Sequence, residues 1–254
     1  MLSHQSMFPI RDDNPHFLTP VVTYAIIAAN VFAWYAVQGL GTHPALVKSL
    51  CTLGMIPGEF LGNVAPGTVV PLGDTSCVLE GAPTLNTPFT AMFLHGGWLH
   101  LIGNMWFMWI FGDNVEDSMG HARFAVFYLL CGLIATALHI VSNPAPSIPM
   151  IGASGAIGGV MGAYIVLYPR VRVHMLLFFG FFFTRVVVPA SFMLGYWFLI
   201  QLLGGYMDVG RTGGGTAFWA HVGGFAGGAM LVLLFRKPEL VRRHPHYGWR
   251  RNQR

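Results

Sequence analysis

Residues 151–159 read Ile-Gly-Ala-Ser-Gly-Ala-Ile-Gly-Gly, and they place one hydroxyl, that of Ser154, between glycines at the head of an apolar segment. A serine in such a segment has two interpretations: a small residue that lets helices pack closely, or a nucleophile. Taken alone, the stretch favours packing. A second stretch, residues 220–224, reverses this preference because its Ala-His-Val-Gly-Gly places the His221 imidazole at the head of another apolar segment.

The composition is apolar and carries few charges. Hydrophobic residues make up 54% of the chain and charged residues 9%, and the mean hydropathy is +0.57. Soluble domains carry about 25% charged residues, so we expect an integral membrane protein in contact with lipid. The net charge of +4 comes from a basic C-terminal segment, and no nucleic-acid partner is expected. The cysteine spacing is unlike that of metal fingers, and we predict no metal and no cofactor.

The apolar runs predict an all-α polytopic membrane protein, a bundle of six transmembrane helices, because a bilayer core needs roughly 20 apolar residues per helix. We predict a cytoplasmic N-terminal tail (1–19), a membrane domain (20–235) with an outer loop (42–88), and a basic cytoplasmic C-terminal tail (236–254). The predicted spans are 20–40, 91–111, 124–141, 151–168, 189–206 and 216–235. Asp113, Glu116 and Asp117 are predicted to form a polar turn after the second span.

Residues 173–188 are ambiguous, since they are apolar enough for a further span but contain Arg185. Ser154 and His221 both lie near the start of their helices, so they can meet only if one crossing separates them. If the two residues work together, 173–188 is an interfacial or re-entrant segment. Six spans also place most arginines and lysines on one face, which predicts cytoplasmic termini and an outward-facing serine.

Small residues follow both candidate residues at helical spacing. Gly158 and Gly162 share a face with Ser154 (i, i+4, i+8), and Gly224 and Gly228 share a face with His221 (i, i+3, i+7). Two such glycine stripes let helix backbones approach closely. We therefore expect the imidazole to come within hydrogen-bond reach of the hydroxyl, which is the arrangement of an activated serine nucleophile.

The second predicted span supplies further polar groups. His100 and Asn104 are spaced i, i+4 and share a helix face. Side chains of these types can donate hydrogen bonds to an oxyanion together with the backbone N–H of the nucleophile. His95 points elsewhere, and two roles are equally open for it: assistance through water, or capping of the helix. No aspartate in the spans can orient His221, so packing is expected to hold its imidazole.

Three motifs in combination resemble the rhomboid intramembrane serine proteases, in their bacterial branch: residues 152–155 (Gly-Ala-Ser-Gly), residues 220–224, and the His95…His100…Asn104 set. The resemblance covers roughly residues 18–236 and implies a six-helix bundle in a bacterial plasma (inner) membrane. It implies a serine endopeptidase that cleaves single-pass transmembrane substrates near the outer interface.

Carried over residue by residue, the resemblance makes Ser154 the nucleophile and His221 the general base. His100 and Asn104, with the Ser154 amide, resemble the oxyanion hole, and Gly152 helps to shape it. One departure is at Gly158, where the family often has an aromatic residue stacked on the base histidine. Another is the absence of the family's Trp-Arg pair from the outer loop.

Several features stay open at this stage. Residues 207–215 are either a mobile lid or an ordinary flexible turn, and Cys51 and Cys77 are candidates for a disulfide in the outer loop. Cys131 is expected to serve packing, and His139 and His174 are expected to be structural or interfacial. Two rival functions are a haem- or metal-binding bundle, which leaves Ser154 without a purpose, and a catalytically inactive relative, which normally lacks the serine or the histidine.

Overall fold

The computed structural model describes residues 7–72, 75–81, 84–143, 148–179, 182–208 and 216–248, most of them helical. Short 3₁₀ turns lie at Gly39–Gly41 and Ala91–Phe93. The helices are α1 (Val21–Ala36), α2 (His43–Leu53), α3 (Pro57–Phe60), α4 (Thr87–Thr90), α5 (Trp98–Met119), α6 (His121–Ser142), α7 (Ser154–Leu167), α8 (Ala190–Met207), α9 (Phe218–Phe235) and α10 (Pro238–Val241). Helices α6, α8 and α9 are long and apolar enough to cross a membrane, whereas α1 and α7 are apolar but shorter.

The described chain is predominantly helical, as predicted, but two small sheets accompany the helices, so it is not helical throughout. The strands are β1 (Met7–Asp12), β2 (Val69–Leu72), β3 (Thr75–Val78), β4 (Arg172–Phe179) and β5 (Phe182–Pro189). Strands β1, β4 and β5 form one antiparallel sheet in that order, and β2 pairs with β3 in the other. Part of the segment predicted as an N-terminal tail is thus a strand.

The ambiguous segment 173–188 is the β4–β5 hairpin, which the sequence interpretation had not recognised as β-structure. It returns the chain to the end of α7 from which it left, because Arg172 pairs with Pro189 at the base of the hairpin. One helix, α8, therefore separates α7 from α9, as a contact between Ser154 and His221 requires. Trp106 of α5 fixes the sheet against the bundle, since its Nε1–H donates to the Pro9 carbonyl oxygen at 2.7 Å.

Glycine and proline set the helix ends around the core. The second span was predicted from residue 91, but Gly96 and Gly97 interrupt it and α5 begins at Trp98. Gly120, with a φ of +79°, separates α5 from α6. Proline at 169 follows α7, and Pro189 precedes α8. Helix α7 lies at the centre of the bundle, where it packs against α5, α6, α8 and α9.

The acidic residues predicted as a polar turn form instead the last turns of α5. The buried Glu116 carboxylate accepts hydrogen bonds from the N–H groups of Val22 and Thr23, at 2.9 and 2.8 Å. These are first-turn amides of α1, which has no side-chain cap of its own, so Glu116 satisfies donors that would otherwise lack partners. Asp117 similarly accepts from the N–H of Phe17 at 2.7 Å. The carboxylates at this end of α5 thus anchor other segments of the chain and do not form a solvated turn.

The predicted outer loop is folded and crosslinked. Cys51 of α2 and Cys77 of β3 form a disulfide, which confirms the pairing suggested by the sequence. Ile56, Val70 and Leu79 are buried with Cys77 in a small apolar core of their own. The described part of the loop is therefore folded around an apolar core of its own.

The segment after α9 packs back on the bundle as far as the structure describes it. The Lys237 N–H donates to the Ser118 carbonyl oxygen at 2.9 Å. The His244 imidazole Nε2 lies 2.9 Å from the Asp117 carboxylate, and both side chains are buried. The first part of the predicted basic tail therefore completes the same end of the bundle that Glu116 and Asp117 organise.

Candidate active site

Ser154 is the first residue of α7, and the chain reaches it through a turn that requires glycine. Gly152 has a φ of +118°, a conformation that residues with a Cβ rarely adopt. The Gly152 N–H donates to the Ala91 carbonyl oxygen at 2.9 Å, which ties this turn to the 3₁₀ segment before α5. The Ser154 N–H is therefore one of the first-turn amides of a helix, which have no partner within their own helix.

His221 in the first turn of α9 contacts this serine. Its Nε2 atom lies 2.7 Å from the Ser154 Oγ atom, as the glycine stripes had predicted. A Cβ on Gly224 would overlap the Gly155 carbonyl oxygen, and a Cβ on Gly228 would overlap the Gly159 carbonyl oxygen. The two helices approach this closely only because both positions lack a side chain.

The hydroxyl and the imidazole line a cavity of about 660 Å³. Helix α5 contributes His100 and Asn104 to its wall, and the outer loop contributes Leu50 and Leu72. The remaining walls are largely apolar, as in sites that bury most of a ligand and orient it with a few polar groups.

His100 presents a donor to this cavity. Its Nδ1 atom accepts a hydrogen bond from the Gly96 N–H at 3.2 Å, so the proton of the neutral ring resides on Nε2. A Cβ built on Gly152 would lie 2.8 Å from that Nε2 and 3.6 Å from the Ser154 Oγ. Gly152 thus leaves the room in which the His100 ring approaches the serine, which gives this glycine a second reason to lack a side chain.

Asn104 lies one turn further along α5 and lines the same cavity. Its side chain is almost fully buried, and its Nδ2 atom finds no hydrogen-bond partner among the described residues. An amide group left in this state is available to an acceptor that enters the cavity. His100 and Asn104 therefore converge on the space beside Ser154, as their spacing had predicted.

His95 does not line the cavity. Its fully buried ring packs edge-on behind the His100 ring, with the centroids 5.0 Å apart. The predicted capping role is wrong, since α5 has no side-chain cap, whereas the predicted assistance through water stays a prediction. The ring nitrogens of His95 have no partner in the described part of the chain. The backbone of His95 is held by Gln38, whose amide accepts from the His95 N–H and donates to its carbonyl oxygen, both at 2.8 Å.

Two residues of α8 that the sequence interpretation missed also contact His221. The Gln201 Oε1 atom lies 2.8 Å from the His221 Nδ1 atom, and the Trp197 ring lies beside the imidazole, with the centroids 5.7 Å apart. Packing alone was expected to hold the imidazole, so the amide is a correction. A polar residue inside an apolar span is the signal that could have identified Gln201, because an amide can orient an imidazole as a carboxylate does.

The remaining candidate residues take structural positions or lie outside the described residues. Cys131 is fully buried in the core, as expected. His174 of the central strand β4 bonds at 2.8 Å to Asp13, which directly follows β1. The candidate lid, 207–215, lies outside the described residues from position 209 onward. Within the described ranges, no group of three His, Cys, Asp or Glu side chains is arranged to hold a metal ion.

Residues 83–238 match the Rhomboid domain family. The chain belongs to the Rhomboid family. It is 32% identical over 226 residues to RHOMBOID-like protein 4 of Arabidopsis thaliana, an alignment that covers 87% of this chain and 46% of the relative. It is 32% identical over 150 residues to Rhomboid protease GluP of Bacillus subtilis, over 59% of this chain and 26% of the relative.

A third relative, RHOMBOID-like protein 1 of Arabidopsis thaliana, is 27% identical over 244 residues, which are 91% of this chain and 55% of the relative. This rhomboid chain therefore spans about half of the length of these relatives, or less. The rhomboid match contains all the candidate site residues, from His95 on the approach to α5 through His221 on α9.

Proposed function

We propose that this protein is an intramembrane serine endopeptidase that uses a Ser154–His221 dyad. The observation that carries the proposal is the 2.7 Å contact between Ser154 Oγ and His221 Nε2 in a cavity that also holds two side-chain donors. This is the arrangement in which a base removes the proton of a hydroxyl as that hydroxyl attacks a carbonyl carbon.

In the first step His221 Nε2 takes the Ser154 proton, and Ser154 Oγ bonds to the scissile carbonyl carbon. The negative charge on the carbonyl oxygen accepts hydrogen bonds from His100 Nε2–H, Asn104 Nδ2–H and the Ser154 N–H, and removal of one such donor typically costs about 10²–10³ in rate. His221 then protonates the leaving amine, which leaves an acyl-enzyme. Water, deprotonated by His221, hydrolyses the ester and regenerates the serine.

The proposed topology has six spans, α1, α5, α6, α7, α8 and α9, with both termini cytoplasmic in a bacterial plasma membrane. It is supported by the hairpin that returns the chain to the end of α7, and by the basic residues of the predicted inner face. The cavity then opens toward the outer interface, where water for hydrolysis is available.

The proposed substrates are single-pass transmembrane proteins cut near that interface. A substrate helix conceals its carbonyls in its own hydrogen bonds, and unpaired backbone groups in lipid cost several kcal/mol each. Small or helix-weakening residues at the cut lower the cost of local unwinding. The similarity to Rhomboid protease GluP of Bacillus subtilis supports a proteolytic activity.

A fluorophosphonate probe and a reconstituted cleavage assay test this proposal together. The full chain in liposomes is expected to react with the probe and to cleave a single-pass substrate whose outer juxtamembrane residues are small. Both signals are expected to disappear in Ser154→Ala and to persist in Ser191→Ala, a control serine at the start of α8. Probe labelling or cleavage that survives Ser154→Ala would exclude the proposed nucleophile.

A further inference from the structure

We infer that Gln201 is a positioning residue for the general base, so that the working unit is a hydrogen-bonded chain Gln201–His221–Ser154. The inference rests on the proposed protease function. It assigns to α8 a role in holding the imidazole of His221. The sequence motifs around Ser154 and His221 do not indicate this role.

The orientation of the Gln201 amide is determined by its two contacts. Its Nε2 lies 3.4 Å from the Trp197 carbonyl oxygen, to which it donates, and its Oε1 lies 2.8 Å from His221 Nδ1. The flipped amide would place Oε1 against that carbonyl oxygen, two acceptors facing each other. Gln201 therefore presents an acceptor to the imidazole.

This acceptor selects one tautomer of His221. The Nδ1 atom must carry the proton that Gln201 Oε1 accepts, which leaves Nε2 unprotonated. An unprotonated Nε2 at 2.7 Å from Ser154 Oγ is what proton removal requires. With the opposite tautomer, Nε2–H would point at the hydroxyl and could not act as the base.

An amide suits this position better than a carboxylate. Gln201 is 6% exposed, within an apolar helix, and an ionised group there would be costly to bury. The amide fixes the tautomer and the ring orientation without a charge. Among the other titratable side chains of the described residues, His100 on α5 lines the same cavity as His221, and His139 lies on α6, which packs against α9.

Helix α8 also supplies the aromatic contact that α7 cannot provide. A Cβ on Gly158 would lie 3.2 Å from the His221 carbonyl oxygen, so the interface between α7 and α9 has no room there for a ring. Trp197, one turn before Gln201 on the same face of α8, lies beside the imidazole instead. The base is therefore supported from α8 on two sides, and its orientation depends on the packing of α8 against α9.

Three variants test the inference in the full chain in liposomes. Gln201→Met keeps the length of the side chain but removes the acceptor. It is expected to lower kcat about 10- to 100-fold, the range seen when a metal-bound histidine loses the partner that orients it, with KM changed less than threefold. Gln201→Glu restores an acceptor and is expected to recover part of kcat. Leu203→Met, at an exposed position of the same helix α8, is the control and is expected to leave kcat unchanged.

The ¹⁵N NMR signals of His221 report the tautomer without any need for turnover. We expect Nδ1–H in the wild type and in Ser154→Ala, and a mixture of tautomers in Gln201→Met. A Gln201→Met variant with wild-type kcat, or one whose His221 keeps the single Nδ1–H tautomer of the wild type, would overturn the positioning role. A wild type without serine-dependent cleavage but with a Gln201-dependent tautomer would instead refute the proposed protease.

Discussion

The Nε2 atom of His221 lies 2.7 Å from the Oγ atom of Ser154, although 67 positions separate the two residues in the chain. Two structural features produce this contact. The β4–β5 hairpin keeps one helix between α7 and α9, so both candidate residues lie at the same end of the bundle. Glycines at the interface of α7 and α9 then let the two backbones approach until the side chains meet.

Residues that act as one unit should show non-additive losses when they are replaced. We expect Ser154→Ala and His221→Ala each to lower kcat by at least about a thousandfold, because either change removes the transfer of the proton. The double variant should therefore cleave at nearly the same rate as the slower of the two single variants. Single-turnover cleavage in liposomes measures this, and multiplied losses in the double variant would indicate that the two residues act independently.

The close helix approach predicts that one added methyl group will disrupt the site. In Gly224→Ala the Cβ would overlap the Gly155 carbonyl oxygen, so the helices must separate. Overpacking of this kind costs about 1–3 kcal/mol, and we expect a lower Tm and a large loss of kcat.

Gly195→Ala on α8 is the matched control for Gly224→Ala, since nothing lies within 4 Å of its added Cβ. Alanine has a higher helix propensity than glycine, so this variant should be at least as stable as the wild type. Thermal unfolding in detergent compares the two variants. A Gly224→Ala protein with normal Tm and activity would contradict the packing argument.

The sequence was informative where one physical rule determines the outcome. The hydropathy of 189–206 predicted α8 to within a residue at each end, because no other signal competes with hydropathy there. The spacing of Gly224 and Gly228 after His221 predicted the approach of α7 and α9, because only small residues allow it. These rules act locally or on one helix face, and they can be read without knowing the partner.

Other features depend on partners that lie far away in the chain. Glu116 was interpreted as part of a polar turn because the α1 amides that it caps are more than 90 positions away. The β-structure of 173–188 was missed because hydropathy outweighed the β-branched and aromatic content, and because its partner strand β1 lies in a segment predicted as a tail. Gln201 was overlooked because its acceptor role follows from the ring that it faces, which its local sequence does not specify.

The positions of the two neighbouring histidines predict different effects on catalysis. His100→Ala removes a donor beside Ser154 and is expected to lower kcat about 10²–10³-fold. His95 packs behind His100 without lining the cavity, so His95→Phe, which keeps an aromatic ring in that place, should lower kcat less than tenfold. Cleavage kinetics distinguish the two variants. Equal losses would mean that His95 also stabilises the developing oxyanion, whereas an unaffected His100→Ala would exclude His100 as a donor.

Adjacent aspartates in and after β1 predict opposite contributions to stability as the pH changes. Burial raises the pKa of Asp12 to about 6, and the Tyr164 hydroxyl donates to its carboxylate. The hydrogen bond from His174 lowers the pKa of Asp13, which also pairs with Arg172 at 3.1 Å. A raised carboxyl pKa makes the folded state bind a proton more tightly than the unfolded state, whose aspartates titrate near about 3.9. Stability from Asp12 therefore falls as the pH rises from about 4 to about 6, whereas stability from Asp13 is present above about 4 and is lost as the pH falls below it.

Thermal unfolding of Asp12→Asn and Asp13→Asn between pH 3 and pH 8, compared with the wild type, measures these two contributions. Asparagine at position 12 can still accept from Tyr164 but does not titrate, so this variant should gain stability relative to the wild type as the pH rises through the window near 5. Asparagine at position 13 loses the charge that pairs with Arg172, so this variant should be less stable than the wild type at pH 7, and the gap should narrow below about pH 4. Because the two signs are opposite, a general effect of the detergent on acidic residues cannot produce both results. If stability changed with pH in the same way in both variants, burial would not be the dominant effect on the pKa of Asp12.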